Sequence, residues 1–68
     1  MNRSIYFVQR KDQDGPWVVY RGTGPAGVEE ETREAALEAA MAFARAYAPA
    51  VVRVVDHDRK VLEERYVR

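Results

Sequence analysis

The apolar residues of this chain fall into short β-branched and aromatic runs, and a single segment repeats at helical spacing. Ile5-Tyr6-Phe7-Val8, Trp17-Val18-Val19-Tyr20 and Val51-Val52-Arg53-Val54-Val55 have the composition that strands favour. Between the second and third runs, Arg33 to Ala48 is rich in alanine, the strongest helix former. One helix cannot bury three such strands by wrapping around them. It can only lie across one face of the sheet they form, which makes the chain α+β.

Turn chemistry divides the strands. Asp12-Gln13-Asp14-Gly15-Pro16 offers the positive φ of a hairpin loop, and Pro16 belongs at the start of a strand. Residues 3–10 and 16–21 therefore form a hairpin. Gly22 to Gly27 reads as a flexible connection. Glu29-Glu30-Glu31 then sits where a helix dipole favours negative charge, with Thr32 as N-cap. Pro49 ends the helix at Ala48. Asp56-His57-Asp58-Arg59 is a turn, and Lys60 to Val67 a fourth strand of mixed polarity. The predicted order is β-β-α-β-β: a four-stranded, mainly antiparallel sheet with one amphipathic helix on one face, a single domain over residues 1–68.

Side chains alternate along strands, so the sheet has two faces to account for. Tyr6, Val8, Trp17, Val19, Val52 and Val54 are assigned to the helix side. On the helix, Ala36, Leu37, Ala40, Met41, Phe43, Ala44, Tyr47 and Ala48 share the complementary stripe. The other face collects Ile5, Phe7, Val18, Tyr20, Val51 and Val55, interrupted by Arg53. An antiparallel sheet that faces water should be polar there. A contiguous apolar patch on the order of several hundred Å² marks an interaction surface. These six residues are the candidate interface.

Size points the same way. A chain of 68 residues has a marginal core and needs a staple. It holds no cysteine and one histidine, which removes disulfides and thiolate zinc sites and leaves self-association, a homo-oligomer. Eleven basic residues balance eleven acidic ones. Nucleic-acid binders carry a basic excess, so nucleic acid is not the expected partner. No apolar run is long enough to span a membrane, and no leader pattern precedes the first strand, so the expected location is the cytoplasm.

Sites of chemistry do not assemble. Gly22-Thr23-Gly24-Pro25-Ala26-Gly27 matches G-x-G-x-x-G, but the helix begins residues later, behind glutamates that repel phosphate. Asp56-His57-Asp58 contains metal-ligand types, yet three consecutive turn residues do not converge on one ion. Glu63 and Glu64 are adjacent and point to opposite faces of a strand, and Ser4 has no relay to His57. No catalytic, cofactor or metal site is predicted, and the chain is expected not to be an enzyme. Tyr6, Phe7, Trp17 and Tyr20 among Arg3, Arg10, Arg21 and Arg53 imitate a sheet that stacks bases, which keeps single-stranded nucleic acid as an alternative.

Tyr6-x-Val8, Gly15-x-Trp17-x-Val19, Thr32-x-x-x-Ala36 at the helix start, Val54-Val55, Asp58-Arg59-Lys60-Val61 and Tyr66 together resemble the short bacterial domain of unknown function 2188. That family carries Asp-Gly in its second hairpin, where this chain has Asp58-Arg59. The resemblance implies the fold and assigns no activity. More loosely, Glu31-Thr32-Arg33-Glu34-Ala35-Ala36 behind a Trp-bearing hairpin is similar to the helix opening of HicB-type antitoxins, though the loop before the helix lacks that family's Pro-x-x-Gly-Cys sequence. This second resemblance implies an inhibitor of a small toxin as an alternative function.

Overall fold

A computed structural model describes residues 3–22 and 26–68. Among these, five strands and one helix follow in the order β1 (Ser4–Arg10), β2 (Trp17–Arg21), β3 (Ala26–Glu30), α1 (Arg33–Ala46), β4 (Ala50–Val55) and β5 (Val61–Val67). They form one sheet in the order β3-β2-β1-β4-β5. The β1–β2, β2–β3 and β4–β5 pairs are antiparallel, whereas β1 and β4 run parallel, Tyr6 opposite Val52 and Val8 opposite Val54.

The α+β class, the helix on one face and both expected hairpins hold. Two features of the expected fold, the strand count and the mainly antiparallel pairing, hold only in part. The sheet has five strands, not four, because Ala26 to Glu30 forms an edge strand where the composition predicts a flexible connection and an acidic helix entry. Val28 packs against the core, and its neighbours are glycine and glutamate, the weak, charged composition that blunts a sheet edge. Glu30 lies opposite Trp17 and Glu29 opposite Val18, so the acid in the first helical turn is Glu34 instead. The sheet is also mixed, since α1 carries the chain back to the free side of β1. Thr23, Gly24 and Pro25 of the glycine-rich stretch lie outside the described residues.

Thr32 caps the helix as expected, its hydroxyl accepting from Ala35 N at 3.1 Å. The helix ends at Ala46 with Tyr47 as C-cap, one half-turn before the predicted stop. Its buried stripe is narrower than predicted: Ala36, Ala40 and Ala44 are fully buried, Leu37 and Met41 pack at the margin, and Phe43, Tyr47 and Ala48 are exposed. Small residues on the central line let the helix lie close to the sheet. Below it, Tyr6, Val8, Trp17, Val19, Val52 and Val54 are all buried, so the six residues assigned to the helix side are the core.

The two hairpins close differently. In the first, Lys11 N donates to Pro16 O at 2.9 Å, and the Asp12 carboxylate accepts from Asp14 N at 3.1 Å. In the second, Arg59 N donates to Asp56 O and Asp56 N to Lys60 O, both at 2.9 Å. These two bonds leave Arg59 as the extra residue of the turn, in the left-handed region at φ 69°.

Candidate interaction surface

Registers place the side chains of the face opposite the helix in three rows across the sheet. Ile5, Val51 and Tyr66 form the first. Tyr20, Phe7, Arg53 and Glu64 form the second. Glu29, Val18, Gln9, Val55 and Val61 form the third. Between them lies an open trough of about 770 Å³, bordered by Ile5, Phe7 and Tyr20 on one side and by Val61 and Arg59 on the other.

This face is less uniformly apolar than the sequence suggests. Phe7 and Tyr20 stack with centroids 5.2 Å apart, and the Tyr20 hydroxyl donates to Gln9 Oε1 at 2.7 Å. Arg53 Nε meets Glu64 Oε2 at 2.6 Å, and the Tyr66 hydroxyl donates to Glu64 Oε1 at 2.7 Å. Those two donors hold the Glu64 carboxyl below its ordinary value, the tyrosine contributing most. The same carboxylate raises the Tyr66 phenol. Arg3 lies over the Tyr66 ring at 5.6 Å. Gln9, Arg53 and Glu64 thus give a predominantly apolar surface a polar centre.

The six candidate residues divide into two groups. Val51 and Val55 are only 3% and 5% exposed, because β4 is central and each valine is flanked on both sides, by Ile5 and Tyr66 or by Gln9 and Val61. Ile5, Phe7, Val18 and Tyr20 are half-buried. The large apolar side chains most open to solvent on this side belong to β5: Val61 at 55%, Leu62 at 41% and Tyr66 at 61%. In the sequence that strand reads only as one of mixed polarity. The signal was present in Val61, Leu62 and Tyr66 themselves, but no alternation exposed it, because a bulge at Val54–Val55 shifts the register there.

A family model described as "Uncharacterized protein conserved in bacteria (DUF2188)" matches residues 6–67. The chain belongs to the DUF2188 family. The match takes in the helix, four whole strands and all but the first two residues of β1, so the resemblance carried by Tyr6-x-Val8, Gly15-x-Trp17-x-Val19 and Thr32 extends through β5. Comparisons with curated proteins and with solved structures give no match.

Other residues singled out in this DUF2188 chain are placed as follows. His57 Nδ1 lies 3.0 Å from Asp56 Oδ1, while Asp58 Oδ1 accepts from Lys60 N, so these side chains serve the turn separately. Among the described residues, no three histidine or acidic side chains are grouped to hold a metal. Glu63 faces the helix side and binds Arg33 and Arg65, at 3.1 and 2.6 Å, away from Glu64. Ser4 Oγ accepts from Arg21 at 3.4 Å. Of the four aromatics that imitate a base-stacking platform, Tyr6 and Trp17 are buried. Arg10 covers Trp17, and Arg21 lies between the rings of Tyr6 and Tyr47. The described helix is too short and too polar to cross a membrane.

Proposed function

We propose that this DUF2188 chain is a non-enzymatic protein-interaction module that self-associates through the sheet face opposite its helix. The observation that carries this reading is the open trough beside the Phe7–Tyr20 stack, an apolar concavity with a small polar centre on a face no element of the chain covers among the described residues. That composition is the one interfaces favour: aromatic and aliphatic side chains at the middle, with arginine among them. Burying such a surface gains roughly 25 cal/mol per Å² of apolar area, and a domain this small has few other sources of stability. The engagement of Arg53 by Glu64, and of Arg3 and Arg10 by aromatic rings, favours a protein surface over a phosphate backbone.

Sedimentation velocity at micromolar concentration tests the reading. The wild-type chain is expected to run above its monomer mass of 7.8 kDa. Phe7→Asp, which places a charge at the centre of the face, is expected to lower the assembly mass while the far-ultraviolet circular dichroism is retained. A wild-type monomer, or an assembly whose mass ignores Phe7→Asp, removes this face from the interface.

A further inference from the structure

β5 is an edge strand whose outer side meets no other element among the described residues. Edge strands are usually blunted by charge, and β5 carries three charged residues in a row, Glu63-Glu64-Arg65. Their order has a second consequence. When the strand is laid antiparallel against a copy of itself about Glu64, Glu63 of each chain stands opposite Arg65 of the other. Leu62 then stands opposite Tyr66. The pattern pairs opposite charges on the helix side and apolar with apolar on the open side, the cross-strand combinations that stabilise antiparallel ladders. We infer that two copies of this chain join along β5 in that register, making one continuous ten-stranded sheet. The inference rests on the self-association proposed above and specifies how it begins.

Three features single out a second copy as the occupant. Registers centred one residue away oppose Arg65 to Arg65 or Glu63 to Glu63, so the charge order selects the Glu64-centred one. The single like pair in it is Glu64 against itself, and each of those carboxylates is already held by its own Arg53 and Tyr66. The bulge at Val54–Val55 lies towards the hairpin end and leaves Glu63 to Val67 regularly paired with β4. The opposite edge is no competitor: β3 is shorter and carries Glu29 and Glu30 without a basic residue. A β3–β5 contact would bring net negative strands together and would continue as an open filament, whereas β5 against β5 closes about a two-fold axis. Pairing at this edge sets two open faces side by side in one plane, so the face contact of the proposed function then joins edge-paired dimers.

The chain has no cysteine, so a single introduced thiol reports the register. Residues directly opposite in an antiparallel pair have Cα atoms about 4.5–5.5 Å apart, within the range a disulfide spans. Glu64→Cys is expected to give a covalent dimer of twice the monomer mass under mild oxidation, on a non-reducing gel. Arg65→Cys is expected to remain mostly uncrosslinked, because its two copies stand two positions out of register. Arg65→Glu opposes like charges and is expected to shift the monomer–dimer midpoint at least tenfold to higher concentration, and Glu63→Arg added to it to restore the wild-type midpoint. In the Phe7→Asp background the residual species is expected to be a dimer. Equal crosslinking of both cysteine variants, or no rescue by the double exchange, overturns the edge pairing. Dissociation of Phe7→Asp to monomer, with no Glu64→Cys crosslink, overturns the edge pairing and leaves the face contact standing. A wild-type monomer at these concentrations overturns both.

Discussion

At the scale of single residues, Arg59 is the position where sequence and backbone disagree. A left-handed conformation costs a residue with a Cβ about 1–2 kcal/mol, and glycine avoids that cost at the expense of greater freedom in the unfolded chain. The turn from Asp56 to Lys60 nevertheless holds Arg59 at φ 69°. Arg59→Gly is therefore expected to stabilise the fold by about 0.5–1 kcal/mol. Thermal unfolding should show it as a rise on the order of 5 °C in a domain this small. An unchanged or lower Tm would mean that the arginine side chain offsets the backbone cost through contacts along the trough it borders. The family resemblance had already marked this residue as a departure, and the backbone gives the physical content of that departure. Gly22 at φ 51° is the complementary case, where glycine stands at a left-handed position.

Among the elements, α1 and β4 were plain in the sequence and β3 was not. The helix announces itself by Thr32 and its alanines, and β4 by a nearly unbroken valine run. That run suits a central strand with a neighbour on each side, which is why Val51 and Val55 are buried although no helix lies over them. Among the described side chains of β3, Val28 packs against the core from a partly buried position, and one such residue leaves no period to read. Nor does any local pattern state that β4 returns beside β1, because the parallel pair joins segments from opposite ends of the described chain. The narrow alanine stripe of α1 gives a sharp test. Ala40 is fully buried against the sheet, whereas Ala42 on the same helix is exposed. Ala40→Leu is expected to destabilise by about 1–3 kcal/mol through overpacking. Ala42→Leu should stay within about 0.5 kcal/mol of wild type. Chemical denaturation of the two variants side by side separates packing from helix propensity.

For the molecule as a whole, charge arrangement sets the response to pH. Arg65, and after it Arg33, hold the Glu63 carboxyl below its ordinary value of 4.5, and Tyr66 and Arg53 do the same for Glu64. A carboxyl depressed in the folded state contributes stability above its unfolded pKa and loses it as pH falls through the folded value. Tm should therefore be level at neutral pH and decline once the solution is more acidic than about pH 4.5. Glu63→Gln is expected to shallow that acid limb, and melts recorded from pH 7 to pH 3 would reveal an unaltered limb if the ion pairs on β5 contribute nothing. The surface itself was half legible from sequence. Alternation found Ile5, Phe7, Val18 and Tyr20, but not that Glu64 is carried beside Arg53, since that depends on the β4–β5 register.

The parallel ladder between β1 and β4 has a consequence during synthesis. Ser4 to Gln9 leaves the ribosome long before Ala50 to Val55, the segment that pairs with it. Until then the strand destined for the middle of the sheet is a rim, and Tyr6 and Val8 lack the valines of β4 beside them. A nascent chain therefore passes through a stage in which this strand is open to any passing β-segment. How quickly translation carries it past Val55 bears on how much of it reaches the native sheet.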